Sequence, residues 1–277
     1  MTTLPLEKWG LTESADWWSA GQVLRQQTLG AATEMMLDVA SLQPGNRVLD
    51  VAAGTGEQTL MAAGRVGPMG YVLAADTSAS MLNVAAEAAR KEGLTQVETR
   101  VMNAEDLALD ADTFDAVICR IALMLFPNPA KALSEMRRVV KPGGKVAVVV
   151  FSALEKNPHH EIFYEIVQSI GNIPPPAPGA PWMYALGDPG ALEDVYMRAG
   201  FLNVTVHAVP IQRRFPSAAE AIRIMRNSAG DLRELMSRLN ESARERAWVE
   251  IEEQLRRFEG PNGLVLPGEV LIGAGTK

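Results

Sequence analysis

The stretch that decides the fold is Arg47-Val48-Leu49-Asp50-Val51-Ala52-Ala53-Gly54-Thr55-Gly56-Glu57-Gln58. It opens as an apolar, β-rich run and closes on residues with almost no side chain. Helix-compatible sequence follows from Thr59 to Arg65. That order spells strand, tight turn, helix. A nearly continuous apolar run suits a parallel strand covered on both faces. Small residues at Ala52, Ala53, Gly54 and Gly56 let a ligand approach the backbone itself, and glycine takes a positive φ there at little cost. Open α/β sheets hold their ligands outside the carboxyl ends of the strands, where this turn falls.

A plain strand-to-helix connection also looks like this turn. The next apolar run, Tyr71-Val72-Leu73-Ala74-Ala75, narrows the choice because it ends on Asp76. An acidic residue about 20 residues past the loop is placed to bond ribose hydroxyls, so a nucleoside-containing ligand is expected. Two classes compete. A dinucleotide wants a third small residue in G-x-G-x-x-G and an open helix N-terminus for its pyrophosphate. Here that third position is Thr59, and Glu57 stands where the pyrophosphate would go. S-adenosylmethionine has no phosphate. Its ammonium and sulfonium are compatible with the acidic neighbours Asp50 and Glu57.

Val48 to Gly56 resembles the first motif of the class I S-adenosylmethionine-dependent methyltransferases. The branch it most resembles holds the ubiquinone/menaquinone C-methyltransferases and many small-molecule methyltransferases. Ala52 replaces the first glycine of the usual pattern, a substitution common in that branch. The likeness is close from about Leu42 to Phe151 and looser beyond. It implies a Rossmann-like α/β fold, a mostly parallel seven-stranded sheet with an antiparallel last strand, and a helical cap. It also implies cofactor contacts at Asp50, Ala52, Gly54, Gly56, Asp76, Thr77, Met81, Asn103, Ala104, Glu105 and Arg120. The family usually has an acid where Asn103 stands. Asparagine can still accept from the adenine amino group, although an Asx turn explains Asn103 equally well.

Composition sets the frame. The chain has 277 residues, 47% of them hydrophobic and 21% charged. Such values belong to a globular enzyme with room for a large core. A net charge of −7 argues against a nucleic-acid substrate, since phosphate neutralisation needs clustered Lys and Arg. The single cysteine, Cys119, leaves no intrachain disulfide and no cysteine-based zinc cluster. No signal peptide and no membrane-spanning run are read, so a cytoplasmic protein is expected. A homodimer is compatible with the Trp-rich N-terminus.

Three divisions are expected: an N-terminal helical arm over 1–43, a cofactor-binding core over 44–151, and a remainder over 152–277 with cap helices at about 217–258. The arm carries Trp9, Trp17 and Trp18. These aromatics either pin the arm to the domain or close it over a sulfonium, a cation–π contact of about 0.5–2 kcal/mol. Helices are expected over Val23–Leu42, Glu57 to near Gly67, Ala79–Glu92, Asn128–Val140, Asn157–Gly171 and Leu192–Ala199. Strands are expected over Val97–Val101, Phe114–Arg120, Val146–Phe151, Asn203–Arg213 and Gly263–Ala274. Pro267-Gly268 would suit an edge or a bulge. Ile173 to Pro181 reads as an extended proline-rich linker. The cap presents Ile222, Met225, Leu232, Leu235, Met236 and Leu239 at helical spacing, which fits a core face or a pocket wall.

Methyl transfer from a sulfonium needs alignment first, and a general base only for a protonated acceptor. His159 and His160 are the candidate bases, on the carboxyl side of the sheet. His207 reads as a solvent-facing strand residue. Arg120, costly to bury alone, must reach solvent or an anion. Trp18, Met124 and Met225 are candidate acceptor contacts. No metal-ligand spacing is present. The expected activity is methylation of O, N or C on a small molecule. The rivals are a quinone-ring C-methyltransferase, against which no basic amphipathic helix is found, and a cofactor-binding scaffold without catalysis.

Overall fold

The computed structural model describes residues 21–226 and 231–277. The N-terminal arm with Trp9, Trp17 and Trp18 lies outside the described residues.

The decisive stretch folds as the sequence requires. β1 (Arg47–Val51) leads through the small-residue turn into α2 (Glu57–Val66). α1 (Gln22–Val39) precedes them. The chain continues with β2 (Tyr71–Asp76), α3 (Ala79–Lys91), β3 (Val97–Val101) and β4 (Phe114–Arg120). A 3-10 turn over Leu123–Leu125 joins β4 to α4 (Pro129–Val139), which runs into β5 (Val140–Phe151). α5 (Pro158–Gly171), α6 (Ala191–Arg198) and β6 (Leu202–Phe215) follow. The cap comprises α7 (Ala218–Arg226), α8 (Asp231–Ser237) and α9 (Glu241–Leu255). The two-residue β7 (Glu259–Gly260) and the long β8 (Gly263–Thr276) close the chain.

The strands lie in the order β3-β2-β1-β4-β5-β8-β6, with β7 added on β8. β1 pairs in parallel with β2 on one side and β4 on the other, Val48 facing both Val72 and Ala116. The winding direction reverses there, so a crevice opens beyond the carboxyl ends of β1 and β4. β8 is antiparallel to both β5 and β6. Seven strands thus form the expected sheet, and β7 is a short addition to it.

The central strands are covered on both faces, and Val48, Leu49, Val117, Ile118, Val148 and Val149 are wholly buried. α1 meets α2 and α2 meets α3 on one face of the sheet, and α4 meets α6 on the other. Boundaries follow capping chemistry. Ser78 accepts the Met81 N–H at 3.3 Å to start α3, and Asn128 accepts the Lys131 N–H at 3.0 Å to start α4. Pro142-Gly143-Gly144 lies inside β5, where the register against β4 shifts between Phe114 and Ala116.

The last strand was expected to suit an edge or a bulge at Pro267, and β8 is instead internal. The conflict dissolves in the register. β5 accompanies β8 only as far as Val270, opposite Phe151, whereas Pro267 faces Gln212 of β6. The missing proline N–H therefore falls beyond the end of β5. The cap, expected as one long helical region, is divided, and Asn240 starts α9 by accepting the Ala243 N–H at 2.9 Å. Ile222, Leu235, Met236 and Leu239 are buried, and Met225 and Leu232 are partly buried against the same core. No helix of the described residues is long and apolar enough to cross a membrane.

Candidate functional site

The floor of the crevice is a carboxylate pair. Asp50, near the end of β1, is fully buried and receives Thr59 Oγ1 at 2.5 Å and Gln58 Nε2 at 3.1 Å. Burial pushes its pKa up to about 7 against the hydrogen bonds from Thr59 and Gln58. Asp50 thus ties the first turn of α2 to the strand below it. Asp76 ends β2. Its Oδ2 accepts the Gly54 N–H and its Oδ1 the Ser78 N–H, both at 2.9 Å. Burial raises its pKa also, opposed by those backbone donors. A carboxylate has about four lone-pair positions, so these two bonds leave acceptor capacity facing the crevice.

That crevice is lined by Ala52, Asp76, Thr77, Asn103, Ala104 and Glu105, with Phe126 and Pro127 closing one side. Asn103 Oδ1 accepts the Glu105 N–H at 2.9 Å, an Asx turn. Glu105 in turn accepts the Asn128 N–H at 2.8 Å and fixes the loop to the start of α4. Met81 does not join this lining; it is buried in the first turn of α3.

A second small cavity adjoins the first through Ala52 and is lined by Arg25, Ala53, Gly54, Gln58, Arg120 and Ile121. Beside it lies a buried ion cluster. Glu57 takes Arg120 Nη2 on Oε2 at 2.5 Å and Arg25 Nε on the same oxygen at 3.2 Å, while Arg25 Nη2 pairs with Oε1. Arg120 also donates to Thr33 Oγ1 of α1 at 3.2 Å. Burial pushes Glu57 up, but Arg25 and Arg120 outweigh it and hold the carboxyl below its ordinary value. Burial lowers Arg120, and Glu57 opposes the fall. Arg25 and Arg120 thus share the Glu57 carboxylate. The backbone is strained on both sides of this cavity: Ala52 and Ile121, neither of them glycine, have φ of 55° and 54°.

A third cluster lies one strand further along. Phe151 ends β5, two residues past the Val149 that pairs with Arg120. Its ring meets His160 edge-on at 5.7 Å and Tyr184 at 5.6 Å. Arg213 of β6 directs Nη1 at His159 Nε2, 2.7 Å, and at His160 Nε2, 2.8 Å. His160 Nδ1 contacts the Tyr184 hydroxyl. Buried Asn157 holds the segment before the histidines. Its amide donates to the Ala153 and Glu269 carbonyls at 3.2 Å, and its oxygen accepts the Glu269 N–H at 3.2 Å.

Residues 24–173 match the model of the ubiE/COQ5 methyltransferase family, more than half of the chain. The chain belongs to the ubiE/COQ5 methyltransferase family. Over 117 residues it is 41% identical to the ubiquinone/menaquinone biosynthesis C-methyltransferase UbiE of Hydrogenovibrio crunogenus, covering 42% of this chain and 46% of the relative. It is 43% identical over 108 residues to the demethylmenaquinone methyltransferase of Bacillus cytotoxicus, covering 39% and 46%. The match thus spans about half the length of these curated relatives. The crystal structure of the YcgJ protein from Bacillus subtilis shares the fold, with a TM-score of 0.59 at 20% identity over 90% of this chain and 98% of that one.

Within this ubiE/COQ5-family chain, the structure brings Ala52, Gly54, Asp76, Thr77, Asn103, Ala104, Glu105 and Arg120 onto the two adjoining cavities. Five expectations meet other surroundings in the structure. Asp50 lies beneath the turn with both oxygens engaged, and Met81 is buried in the first turn of α3. Gly56 makes room for a helix: a Cβ there would sit 2.7 Å from Ala85 Cβ of α3. Glu57, expected as an acidic neighbour for a cationic ligand, is engaged by Arg25 and Arg120. Glu57 therefore no longer repels a pyrophosphate by itself. The fifth concerns the expected bases. The only atom Arg213 can offer is a donor N–H, so the Nε2 lone pairs of His159 and His160 are already accepting. Burial, followed by the Arg213 charge for His159 and by His159 and Arg213 for His160, pushes both pKa values well below the ordinary histidine range.

Met124 lines a groove of about 700 Å³ with Phe126, Pro181, Leu186 and Val195. Met225 packs on the core from α7, and Trp18 lies outside the described residues. His207 is exposed on β6, as its strand setting predicts. Sequence reading missed Arg25, Thr33, Tyr184 and Arg213 as site neighbours. Arg25 alone carried a signal, being the cation among the apolar positions of α1. The others come from distant segments.

Proposed function

We propose that this chain transfers the methyl group of S-adenosylmethionine to O, N or C of a small-molecule acceptor. The observation that carries the reading is Asp76, held by backbone N–H groups and lining a crevice that adjoins the cavity beside Arg120. The residues fit the cofactor part by part. Asp76 suits a ribose diol, and Asn103, Ala104 and Glu105 border the place for adenine. The guanidinium groups that line the adjoining cavity, those of Arg25 and Arg120, suit the cofactor's carboxylate. When bound, S-adenosylmethionine supplies an activated methyl group for in-line displacement. The chain's own part is to fix orientation and exclude water, effects that together contribute up to about 7–11 kcal/mol.

The test is calorimetric titration with S-adenosylmethionine, S-adenosylhomocysteine and NAD against wild type and Asp76→Ala. Binding of the first two and not of NAD is expected. The variant should lose about 1.5–3 kcal/mol, the worth of hydrogen bonds to a charged acceptor. NAD binding, or no adenosyl ligand bound, would overturn the reading.

A quinone-ring acceptor is a second reading. It is supported by the names of the relatives and by the apolar lining of the groove beside Met124. Incubation with demethylmenaquinone, read by mass spectrometry, tests it. Turnover of any acceptor excludes a scaffold without catalysis. The proposal includes a cytoplasmic location, a homodimer and no nucleic-acid substrate. The net charge of −7 is unfavourable for phosphate backbones. Light scattering and filter binding test the last two.

A further inference from the structure

We propose that Thr33 of α1 is a positioning residue: it sets the direction of the Arg120 guanidinium in the cavity beside the glycine turn, and so makes cofactor binding depend on the carboxylate of S-adenosylmethionine. This inference rests on the methyl-transfer reading and on the place that reading gives to Arg120.

What each group can donate and accept fixes the sense of the bonds. Thr33 is wholly buried within α1. Its hydroxyl donates to the Leu29 carbonyl one turn back at 2.8 Å, which uses its only proton. Toward any other group the Thr33 oxygen can only accept. Arg120 has no acceptor atom, and its Nη1 supplies the N–H at 3.2 Å. The other terminal nitrogen, Nη2, donates to Glu57 Oε2 at 2.5 Å. A guanidinium is planar, with its donors in a rigid fork. One partner would let it swing about a single bond. Two partners on different nitrogens set its plane, and with it the direction of the N–H groups that remain.

Three elements meet at this one group: Arg120 ends β4, Glu57 opens α2 and Thr33 lies in the second half of α1. Arg120 lines the cavity with Leu29 of α1 and Gly54 of the turn. Leu29, whose carbonyl takes the Thr33 proton, therefore belongs to the same wall. The backbone just past Arg120 is held as well, because Ile121 donates its N–H to the Val149 carbonyl at 2.7 Å. A buried donor that is already aimed costs no reorganisation when its anion arrives, and its bond to a carboxylate is charge-assisted. Glu57 gives Arg120 a counter-charge. Thr33 gives none and contributes direction alone, so removing its oxygen separates direction from charge. The cofactor's ammonium and sulfonium have no use for a guanidinium, and the discrimination falls on the carboxylate.

The test is calorimetric titration of wild type, Thr33→Val and Thr33→Ser with S-adenosylmethionine and with its decarboxylated form, which lacks only the carboxylate. Wild type should prefer the first. Thr33→Val keeps the branched shape and loses the oxygen. It should bind S-adenosylmethionine about 3- to 10-fold more weakly, the range for one hydrogen bond, with the affinity for the decarboxylated form unchanged. Thr33→Ser keeps the hydroxyl and should bind both ligands as wild type does. Equal binding of the two ligands by wild type would overturn the proposal alone. So would an unchanged S-adenosylmethionine affinity in Thr33→Val, an equal loss for both ligands, or the same loss in Thr33→Ser. Nitrogen-15 NMR of ligand-free wild type is independent of any variant's folding: separate Nη1 and Nη2 signals are expected for an Arg120 held at two points, and one averaged signal would overturn the proposal. If wild type bound neither ligand, the methyl-transfer reading would fall, and the proposal with it.

Discussion

At the scale of single residues, the site is built from charges that the fold removes from water. Asp50 shows the consequence. Its carboxyl holds a proton up to about pH 7 when folded, against an ordinary value of 3.8. The folded state therefore binds more protons than the unfolded one between those values. The associated stability is complete below the lower pKa, falls as pH rises through the window, and is gone above about 7. The difference corresponds to about 4 kcal/mol at most. In urea titrations, Asp50→Asn should gain on wild type as pH rises from about 4 to 7. A constant gap would mean that Thr59 and Gln58 hold the carboxylate charged. Arg120 shows the converse. With a side chain 4% exposed against Glu57 at 3%, it forms a buried pair. Arg120→Met leaves Glu57 with one of its two cations and should cost about 3–5 kcal/mol in thermal or chemical unfolding, together with most of the cofactor affinity.

At the scale of elements, close approach decides more than propensity does. Gly56, at φ 88°, begins α2 and lies against α3. Gly56→Ala therefore combines a strained left-handed backbone with a collision against Ala85 Cβ, and should cost about 2–4 kcal/mol. Ala85→Gly in the same chain should return the steric share. A double-mutant cycle by urea unfolding separates the two. Additivity would show that backbone strain alone matters. Asn157 plays the corresponding part between β5 and β8. Gly268 is needed beside it, because a Cβ there would come within 2.7 Å of Asn157 Oδ1. Removing the Asn157 amide strands several buried backbone groups at once, so Asn157→Ala should loosen the histidine segment as well as lower stability.

At the scale of the molecule, the sheet is graded from a dry centre to a wet edge. β1, β4 and the carboxyl half of β5 are buried, whereas most of β6 from Leu202 to Pro210 is exposed. Native-state hydrogen exchange should follow this gradient, with the amides of β1 and β4 exchanging only through global unfolding and the outward amides of β6 exchanging orders of magnitude faster. Slow exchange along the outer side of β6 would indicate that this edge is covered in solution, as in a dimer.

The sequence by itself determined the parallel core, the crevice at its carboxyl edge and the ligand class. Those features follow from short-range rules: apolar runs that demand cover, small residues that demand a turn, and an acid one strand further on. Arg47 to Gln58 and Asp76 sufficed because each acts through its own backbone and its immediate neighbours. The same rules fixed Asn128 and Pro129 as a helix start. Tertiary structure alone decided which charges meet. Arg25, Glu57 and Arg120 come from three elements, and His160, Tyr184 and Arg213 from a helix, a turn and a strand. Their separations in sequence carry no periodic signal. Whether Glu57 faces a ligand or two arginines, and whether a histidine keeps its lone pair or yields it to a guanidinium, depends on a few ångströms set by helix packing. The fold was therefore legible from pattern, and the electrostatic sign of the site was not, because Coulomb interactions depend on distances that only the assembled chain defines.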